Sequence, residues 1–577
     1  MSTENEINIP KRKPRKFLPE DFEITNWDNL KPYFDKLLEQ EIDSKEALKE
    51  WFKASSELGS VISEDMAWRY IKMTCDTENE EIRERYTEFV TQIQPKIAPV
   101  SNELNKKAAA SPYLSQVEKE EGYDIMVRSL RKELEIFREE NIPVKTEIQT
   151  ETQKFGQISG AMTIEHNGEE LTLQQAGVLL QSTDRQLREE VYEKVAKRRL
   201  QDKGNLDGLF NKLIELRHKV GTNADFANFR DYMFSAMGRF DYTPQDCFDF
   251  HESVRDEIVP LLNEMAEARK AALEVESLKP WDKAVDPEGK EPLKPFNSSE
   301  ELIDNTIECF RRLDPFLGQC LSIMKAMGHL DLESRKGKAP GGYNYPLAEI
   351  GVPFIFMNAT STLRDMVTIL HEGGHAVHSF LTKDLELSDF KRTPSEVAEL
   401  ASMSMELISM DHWDLFFQDE EDLKRAKREH LEQIIETLPW VATIDKFQHW
   451  IYEHPSHAIE ERKAEWNKIF NEFADNITDW SGHEDKKDYL WQKQLHLYEV
   501  PFYYIEYGMA QLGAIAVWKN FKEDPQKGLQ GYMNALKLGY TRSIPEVYKA
   551  ANIEFNFSRD YIKSLIEFVN DELQKVK

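Results

Sequence analysis

The sequence predicts a mostly α-helical globular protein with a small β element, and three observations lead to this fold class. Helical periodicity runs through most of the 577 residues, and it is clearest in five stretches: 60–110, 120–140, 205–270, 300–328 and 420–475. Strand signals are few and short. The chain contains no internal repeat and no long low-complexity tract, which argues against a solenoid.

Composition and charge limit the classes of partner. Hydrophobic residues make up 40% and charged residues 31% of the chain, as in a soluble globular protein. Lys and Arg total 74 against 104 Asp and Glu, which gives a formal net charge of −30. Without a segregated basic patch, such an acidic chain is a poor partner for phosphate backbones and anionic lipids. No apolar run approaches the roughly 20 residues that span a bilayer. We therefore expect neither a nucleic-acid nor a membrane partner.

The N-terminal residues and the cysteines indicate the compartment. The chain starts MSTENEINIPKRKPRKF and lacks the apolar segment of a secretory signal. It has four cysteines and no CxxC motif: Cys75, Cys247, Cys309 and Cys320. This pattern excludes a cysteine zinc ribbon and a disulfide scaffold, and it suits a reducing compartment. We expect a cytoplasmic protein.

Local patterns predict the elements before the most informative helix. Residues 161–165 and 170–172, with a turn at 166–169, predict a β-hairpin. Thr183 and Gln186 resemble a capping box at the start of a half-buried helix. Residues 278–299 are rich in proline and charge and predict a solvated connection, and the glycine-rich residues 333–346 predict a mobile loop. The apolar run 352–357 predicts a strand.

The sequence HEGGH at residues 371–375 is an HExxH motif, which predicts a zinc-binding helix. Thr362 is its predicted N-cap. His371 and His375 are four residues apart, so both imidazoles lie on one face of the helix. Glu372 is rotated from His371 by about 100° and can take a proton from a bound water. The two glycines between the histidines each cost about 1 kcal/mol against alanine, so something must pack closely against the helix there.

The third zinc ligand is expected on a second helix, predicted to begin with Thr393 as N-cap. Glu399 and Glu406 are seven residues apart on that helix and share one face. We assign Glu399 as the ligand and Glu406 as a carboxylate that orients an imidazole, although an ordinary exposed position suits Glu406 equally well. His378 continues the face of the two histidines. A straight helix cannot easily bring three successive turns to one tetrahedral ion, so we place His378 beside the ligands and not among them.

Three blocks in this order resemble the M3 metallopeptidase family, the group of thimet oligopeptidase and oligoendopeptidase F. They are HEGGHAVHSF at 371–380, EVAELASMSME at 396–406 and HLYEVPFYYIEYGMAQLGA at 496–514. The resemblance implies one zinc ion per chain, held by His371, His375 and Glu399, with Glu372 as general base. It also implies a two-lobed helical fold that encloses a deep channel for short peptides. We divide the chain into an N-terminal helical region, 1–165, and a helical catalytic region, 166–577.

The third block supplies candidate donors to the negative charge that develops on a peptide carbonyl oxygen. It contains one histidine and four tyrosines, with Pro501 among them: His496, Tyr498, Tyr503, Tyr504 and Tyr507. The family that the block resembles uses a histidine and tyrosines from this region. We favour His496 and Tyr503, followed by Tyr507. Packing in the core is an equally good explanation for any single tyrosine.

The resemblance predicts zinc-dependent cleavage of internal bonds in short oligopeptides. The strand at 352–357 is expected to pair with the substrate backbone as an added strand. An acidic inner surface would favour cationic or neutral peptides. Two alternatives stay open: a carboxypeptidase or dipeptidase on the same zinc helix, and a non-catalytic peptide-binding relative. The second is disfavoured because His371, Glu372, His375 and Glu399 are all present.

Overall fold

The computed structural model describes residues 7–335, 337–339 and 341–576. Helices account for 68% of the structure and the sheets are small, so the predicted mostly α fold is confirmed. The first thirteen helices are α1 Trp27–Glu39, α2 Lys45–Cys75, α3 Glu80–Glu88, α4 Gln94–Ala110, α5 Leu114–Val117, α6 Tyr123–Ile136, α7 Asn141–Gly160, α8 Leu173–Leu179, α9 Arg185–Gln201, α10 Lys203–Asn223, α11 Phe229–Ala236, α12 Pro244–Glu257 and α13 Val259–Ala272.

The other thirteen α-helices follow residue 298. The helices are α14 Ser299–Leu313, α15 Pro315–Met327, α16 Leu363–Thr382, α17 Ser388–Lys391, α18 Ser395–Ile408, α19 Glu420–Glu453, α20 Ile459–Phe473, α21 Glu484–Lys487, α22 Leu495–Glu499, α23 Tyr504–Glu523, α24 Pro525–Lys537, α25 Ile544–Ala550 and α26 Arg559–Gln574. The strands of the whole chain are β1 Thr163–His166, β2 Glu169–Thr172, β3 Leu330–Glu333, β4 Tyr343–Tyr345 and β5 Phe354–Ala359.

The helices and strands group into two compact units, each built from three separate stretches of chain. The first unit combines the chain up to residue 137 with 294–427 and 510–555. The second unit combines 138–293 and 428–509 with the chain from residue 556 onward. Among the described residues, no helix combines the length and the apolar character that a membrane crossing requires.

A three-stranded sheet precedes α16 in the first unit, in the order β3-β5-β4. β5 is the strand predicted from the apolar run, and its first four residues are buried. It pairs in parallel with β3 on one side and antiparallel with β4 on the other. The expectation that this strand accepts a substrate strand is therefore wrong, because both of its edges are already hydrogen-bonded.

The described residues of the predicted mobile loop are tethered to their surroundings. Gly337 accepts a hydrogen bond from Thr77 N (2.8 Å), and Ala339 N donates to Thr74 O (2.8 Å). The Lys338 ammonium group is fully buried and donates to Asp331 Oδ1 at 2.9 Å. Residues 336 and 340 of this loop lie outside the described residues. The loop is anchored on both sides of residue 338.

The second unit contains the predicted hairpin, in which β1 and β2 pair antiparallel from Thr163 opposite Thr172 to His166 opposite Glu169. The segment 278–299, predicted to be a solvated connection, is exposed only in part, because Trp281 and Asp282 are buried. Two guanidinium groups explain how a carboxylate can be buried there: Arg185 and Arg188 each lie 2.8 Å from Asp282. Asp282 is thus held in a buried ion pair, whereas other charged residues of the segment, such as Lys283 and Glu288, are exposed.

The predicted helix starts were right once and wrong twice. Thr362 caps α16 through a capping box with Asp365, as predicted. The α9 helix is capped by Asp184 and not by Thr183, because the Asp184 carboxylate accepts from the N–H groups of the next residues. The α18 helix begins at Ser395 with Pro394 in extended conformation, so Thr393 lies one residue too early to be its cap.

Candidate metal centre

Helix α16 packs against α18 at a distance that only glycine allows. A Cβ atom on Gly374 would lie 2.6 Å from Ser402 Cα and 2.7 Å from Ala401 O. A Cβ atom on Gly373 would lie 2.7 Å from a ring carbon of Phe310. The prediction that something packs closely against the glycines is confirmed. Two helices this close can both reach one small ion.

The three predicted zinc ligands lie together in the first unit. One ligand atom each from His371, His375 and Glu399 lies within 4.8 Å of the other two. Glu399 Oε2 is 3.3 Å from His371 Nε2 and 3.8 Å from His375 Nε2. Two imidazoles and one carboxylate are the donor set of many catalytic zinc sites, which leave a fourth position for water or substrate. These residues fit a zinc ion.

Glu406 fixes the orientation of one ligand. Its Oε1 atom accepts a hydrogen bond from His371 Nδ1 at 2.6 Å. With the proton on Nδ1, the lone pair of Nε2 is directed toward Glu399, where an ion would bind. Without a metal ion, burial disfavours the charged imidazole, but the bonds to Glu399 and Glu406 outweigh burial and hold the pKa of His371 well above its ordinary value, so a metal ion must displace the Nε2 proton in order to bind. Burial lowers the pKa of His375 to about 4, so His375 is neutral, as a ligand must be.

Glu372 is buried beside the ligands, and burial raises the pKa of its carboxyl group to about 7. Its backbone carbonyl accepts a hydrogen bond from Asn344 Nδ2 (3.1 Å), which ties the zinc helix to β4. A carboxylate with a pKa near neutrality can take up and release a proton at physiological pH.

His378 lies on the same helix but outside the group of three ligands. It is buried, and burial lowers its pKa to about 3. Its Nε2 has no hydrogen-bond partner among the described residues. The structure thus places a neutral imidazole one turn beyond His375.

Sequence reasoning missed two polar residues of this centre. Ser402 donates from its hydroxyl group to Glu399 Oε2 (3.2 Å) and to the Glu399 carbonyl (3.0 Å). Asn344 holds the backbone of Glu372. Ser402 lies three residues after Glu399 and one turn along α18, so helical spacing could have suggested it. Nothing in the sequence around Asn344 indicates its contact.

The candidate oxyanion donors form an aromatic cluster in the second unit. The ring of His496 lies 6.1 Å from that of Tyr503, 4.9 Å from that of Tyr504 and 5.8 Å from that of Tyr507. All four side chains are partly exposed. Tyr498 is different, because it is fully buried and stacks on Phe155 with ring centroids 4.4 Å apart. Tyr498 is therefore a core residue.

A chain of hydrogen bonds selects the tautomer of His496. Trp440 Nε1 donates to Gln494 Oε1 (3.1 Å), which turns the amide nitrogen of Gln494 toward His496. That nitrogen lies 2.7 Å from His496 Nδ1 and can only donate. The His496 proton then sits on Nε2, which makes Nε2 the donor nitrogen.

Comparison with known proteins places this architecture in a family. A model of peptidase family M3 matches residues 178–567, and a model of the peptidase M3 N-terminal domain matches residues 17–137. The chain belongs to peptidase family M3. The first match includes the HExxH helix, Glu399 and the aromatic cluster.

Curated relatives of this M3 chain are oligopeptidases. Chromosomal oligoendopeptidase F of Lactococcus lactis subsp. cremoris is 22% identical over 422 residues, which are 71% of this chain and 66% of the relative. Oligopeptidase PepF of Bacillus subtilis is 23% identical over 341 residues, 58% of this chain and 49% of the relative. The chain thus matches about half to two thirds of the length of these relatives.

Solved structures cover almost the whole M3 chain. PZ peptidase A, solved with an inhibitor, has a TM-score of 0.90 and 27% identity and covers 97% of this chain and 99% of its own. A Bacillus anthracis chain designated oligoendopeptidase F has a TM-score of 0.86 and 24% identity, with the same coverage. At that identity the second likeness shows the fold alone.

Proposed function

We propose that this chain is a zinc-dependent endopeptidase that hydrolyses internal bonds of short oligopeptides. The observation that carries the proposal is the convergence of His371, His375 and Glu399, with the buried Glu372 beside them. Membership of family M3 and the oligopeptidase relatives support the same activity.

His371, His375 and Glu399 would hold one zinc ion per chain. A zinc ion bound by three protein ligands polarises a peptide carbonyl and makes a water molecule more acidic. Glu406 keeps His371 in the tautomer that binds through Nε2. Ser402 donates a hydrogen bond to Glu399 and holds this third ligand in place.

Glu372 is the general base of the proposed reaction. One of its carboxylate oxygens accepts a proton from the attacking water and then returns a proton to the leaving amine. Burial raises the pKa of Glu372 and so favours the protonated carboxyl group that forms between the two steps.

His496 and Tyr503, with Tyr507 as the next candidate, donate hydrogen bonds to the carbonyl oxygen as its negative charge develops. The support for His496 is its Nε2 proton, which the contact with Gln494 fixes. The support for Tyr503 and Tyr507 is their partial exposure beside the imidazole.

Digestion of one peptide that is blocked at both ends tests the proposal. The zinc-loaded protein should cut the blocked peptide at an internal bond, and mass spectrometry should find two complementary fragments. The same peptide with free ends is digested in parallel. If the blocked peptide stays intact and only the free peptide loses terminal residues, the protein is an exopeptidase. Binding of the peptide without cleavage by the zinc-loaded protein would indicate a peptide-binding relative.

A further inference from the structure

The second unit contains its own group of metal-type donors. One ligand atom each from Cys247, Asp445 and His449 lies within 4.8 Å of the other two, and all three side chains are buried. The buried His251 lies beside this group: its Nε2 atom is 2.9 Å from Asp445 Oδ2, although it is not one of the three atoms that all lie within 4.8 Å of one another. A thiol, two imidazoles and a carboxylate are all zinc-binding groups.

The four donors come from two helices with the same spacing. Cys247 and His251 are four residues apart on α12, and Asp445 and His449 are four residues apart on α19. Each helix therefore presents its two donors from one face, as in an HExxH motif. The three convergent donors together with the neighbouring His251 imidazole match in number and type the four protein ligands of a closed structural zinc site.

Several polar atoms of this group lack a hydrogen-bond partner within the described part of the protein. Asp445 Oδ1, His251 Nδ1 and both ring nitrogens of His449 are buried without a hydrogen-bond partner among the described residues. His449 Nε2 lies 3.2 Å from Asp445 Oδ2 but is not aligned to bond with it. Ligands of one tetrahedral zinc ion lie about 3.3 Å apart and point at the ion, not at each other.

Aromatic rings pack against both histidines of the group. The ring of His449 packs against Phe248 at 4.8 Å and against Phe502 at 5.5 Å between centroids, and the ring of His251 lies 6.4 Å from that of Phe473. Unpaired polar atoms are costly in such a place. A divalent cation bound by one thiolate, one carboxylate and two neutral imidazoles has no net charge, which suits an apolar interior.

We propose that Cys247, His251, Asp445 and His449 form a second, structural zinc site that fastens α12 to α19. This site is independent of the proposed peptidase activity. It lies next to the turn before α23, because Gln448 Oε1 accepts a hydrogen bond from Phe502 N (2.6 Å) and Phe502 packs on His449. An ion there stabilises the backbone that leads into Tyr503.

Cobalt substitution distinguishes this site from the first centre, which contains no sulfur. The full chain is stripped of metal with a chelator and reloaded with Co²⁺. Wild-type protein should bind two ions per chain and show a near-ultraviolet thiolate-to-cobalt charge-transfer band. Cys247→Ser should lose the band, and Cys309→Ser, which changes another buried thiol, should keep it. A fully loaded wild type without the band, or a band that persists in Cys247→Ser, overturns the proposal.

Zinc content provides a second measurement that does not depend on exchange. The double variant His371→Ala, His375→Ala removes two ligands of the first centre and leaves the second unit unchanged. The purified, folded variant should retain one zinc ion per chain. A variant that folds but contains no zinc after growth in zinc-replete medium overturns the proposal.

Discussion

Glu372 is the residue on which the proposed chemistry depends most directly. Glu372→Gln keeps the shape of the side chain but removes its ability to accept a proton. We predict that the variant retains zinc and loses activity by at least the 10²–10⁴-fold that is typical of general acid–base catalysis. Peptide hydrolysis and metal content, measured on the same sample, check this prediction. Near wild-type turnover in a zinc-replete sample would contradict the assignment.

Glu399 and His378 offer a matched pair that tests the ligand assignment. Both side chains are buried, but Glu399 alone converges with His371 and His375. We predict that Glu399→Ala loses zinc from the first centre, and that His378→Ala keeps it. Because a second zinc site is proposed, the measured quantity is the loss of one ion relative to wild type. The reverse pattern would make His378 the ligand.

Helical spacing was sufficient to predict which side chains converge where the candidate ligands share a helix face. Glu399 and Glu406 were chosen because they are seven residues apart, and both lie at the histidines in the structure. Helical spacing could not predict the hydrogen bond from Asn344 to Glu372, because this contact depends on how β4 packs beside α16. Two N-cap residues were predicted one position too early. Asp184 and Pro394 adopt the extended N-cap conformation that Thr183 and Thr393 were expected to have.

At the scale of elements, the close contact of α16 and α18 explains the two glycines of HEGGH. Gly374→Ala would force a Cβ atom against the backbone of Ser402 and Ala401. We predict a loss of about 1–3 kcal/mol in the free energy of unfolding, as for other overpacked sites, and weaker zinc binding because the two helices move apart. Denaturant unfolding and zinc titration measure the two effects.

Gly156→Ala is the control for that prediction. Gly156 is an exposed residue in α7, and a Cβ atom there would meet nothing within 4 Å. The same substitution should therefore raise the free energy of unfolding by up to about 1 kcal/mol, since alanine is the better helix former. If both variants are stabilised, the close contact does not require glycine at residue 374.

The aromatic cluster before α23 leads to a kinetic prediction. If Tyr503 donates to the developing oxyanion, Tyr503→Phe removes a contact that strengthens in the transition state. We predict that kcat falls by about 10²–10³, the usual cost of one oxyanion donor, with little rise in KM. Steady-state kinetics on one peptide measure both constants.

Tyr498→Phe is the matched control for Tyr503→Phe. The Tyr498 hydroxyl is buried and has no hydrogen-bond partner among the described residues, so its loss should leave kcat unchanged. If Tyr503→Phe leaves kcat unchanged and Tyr507→Phe lowers it, Tyr507 is the donor to the oxyanion. If phenylalanine variants of Tyr503, Tyr504 and Tyr507 all have the wild-type kcat, no tyrosine hydroxyl of this cluster donates to the oxyanion.

Sequence reasoning about elements succeeded for local patterns and failed for long-range ones. The hairpin β1–β2 was predicted because its turn and strands are contiguous. The position of β5 inside its sheet was missed because β3 and β4 come from other parts of the chain. The proximity of Cys247 to Asp445 could not be predicted for the same reason, because the two residues lie far apart in the chain. The four-residue spacings from Cys247 to His251 and from Asp445 to His449 were visible in the sequence.

At the scale of the whole molecule, the net charge of −30 should affect how peptides approach. Long-range attraction raises the association rate of opposite charges and is screened by salt, with a Debye length of about 10 Å at 0.1 M and 3 Å at 1 M. We predict that, at low salt, a peptide flanked by lysines has a higher kcat/KM than the same peptide flanked by glutamates. The ratio of the two constants should fall as NaCl is added.

A neutral peptide with the same scissile bond is the control for salt effects on the enzyme itself. Its kcat/KM should change little over the same range. A lysine-to-glutamate ratio that does not depend on salt would mean that contact specificity, and not the overall charge, sets the preference.

Both units are assembled from stretches that are far apart in the chain, and this affects how the protein is made. Helices α16 and α18 receive late contacts: Tyr532 donates to Ala401 O (2.7 Å), and Tyr548 donates to Glu396 O (3.1 Å). A ribosome adds about 5–20 residues per second, so these partners emerge many seconds after His371. Until Tyr532 and Tyr548 have been synthesised, α18 lacks these two hydrogen bonds, so we expect the first centre to reach its full stability only after residue 548 has emerged.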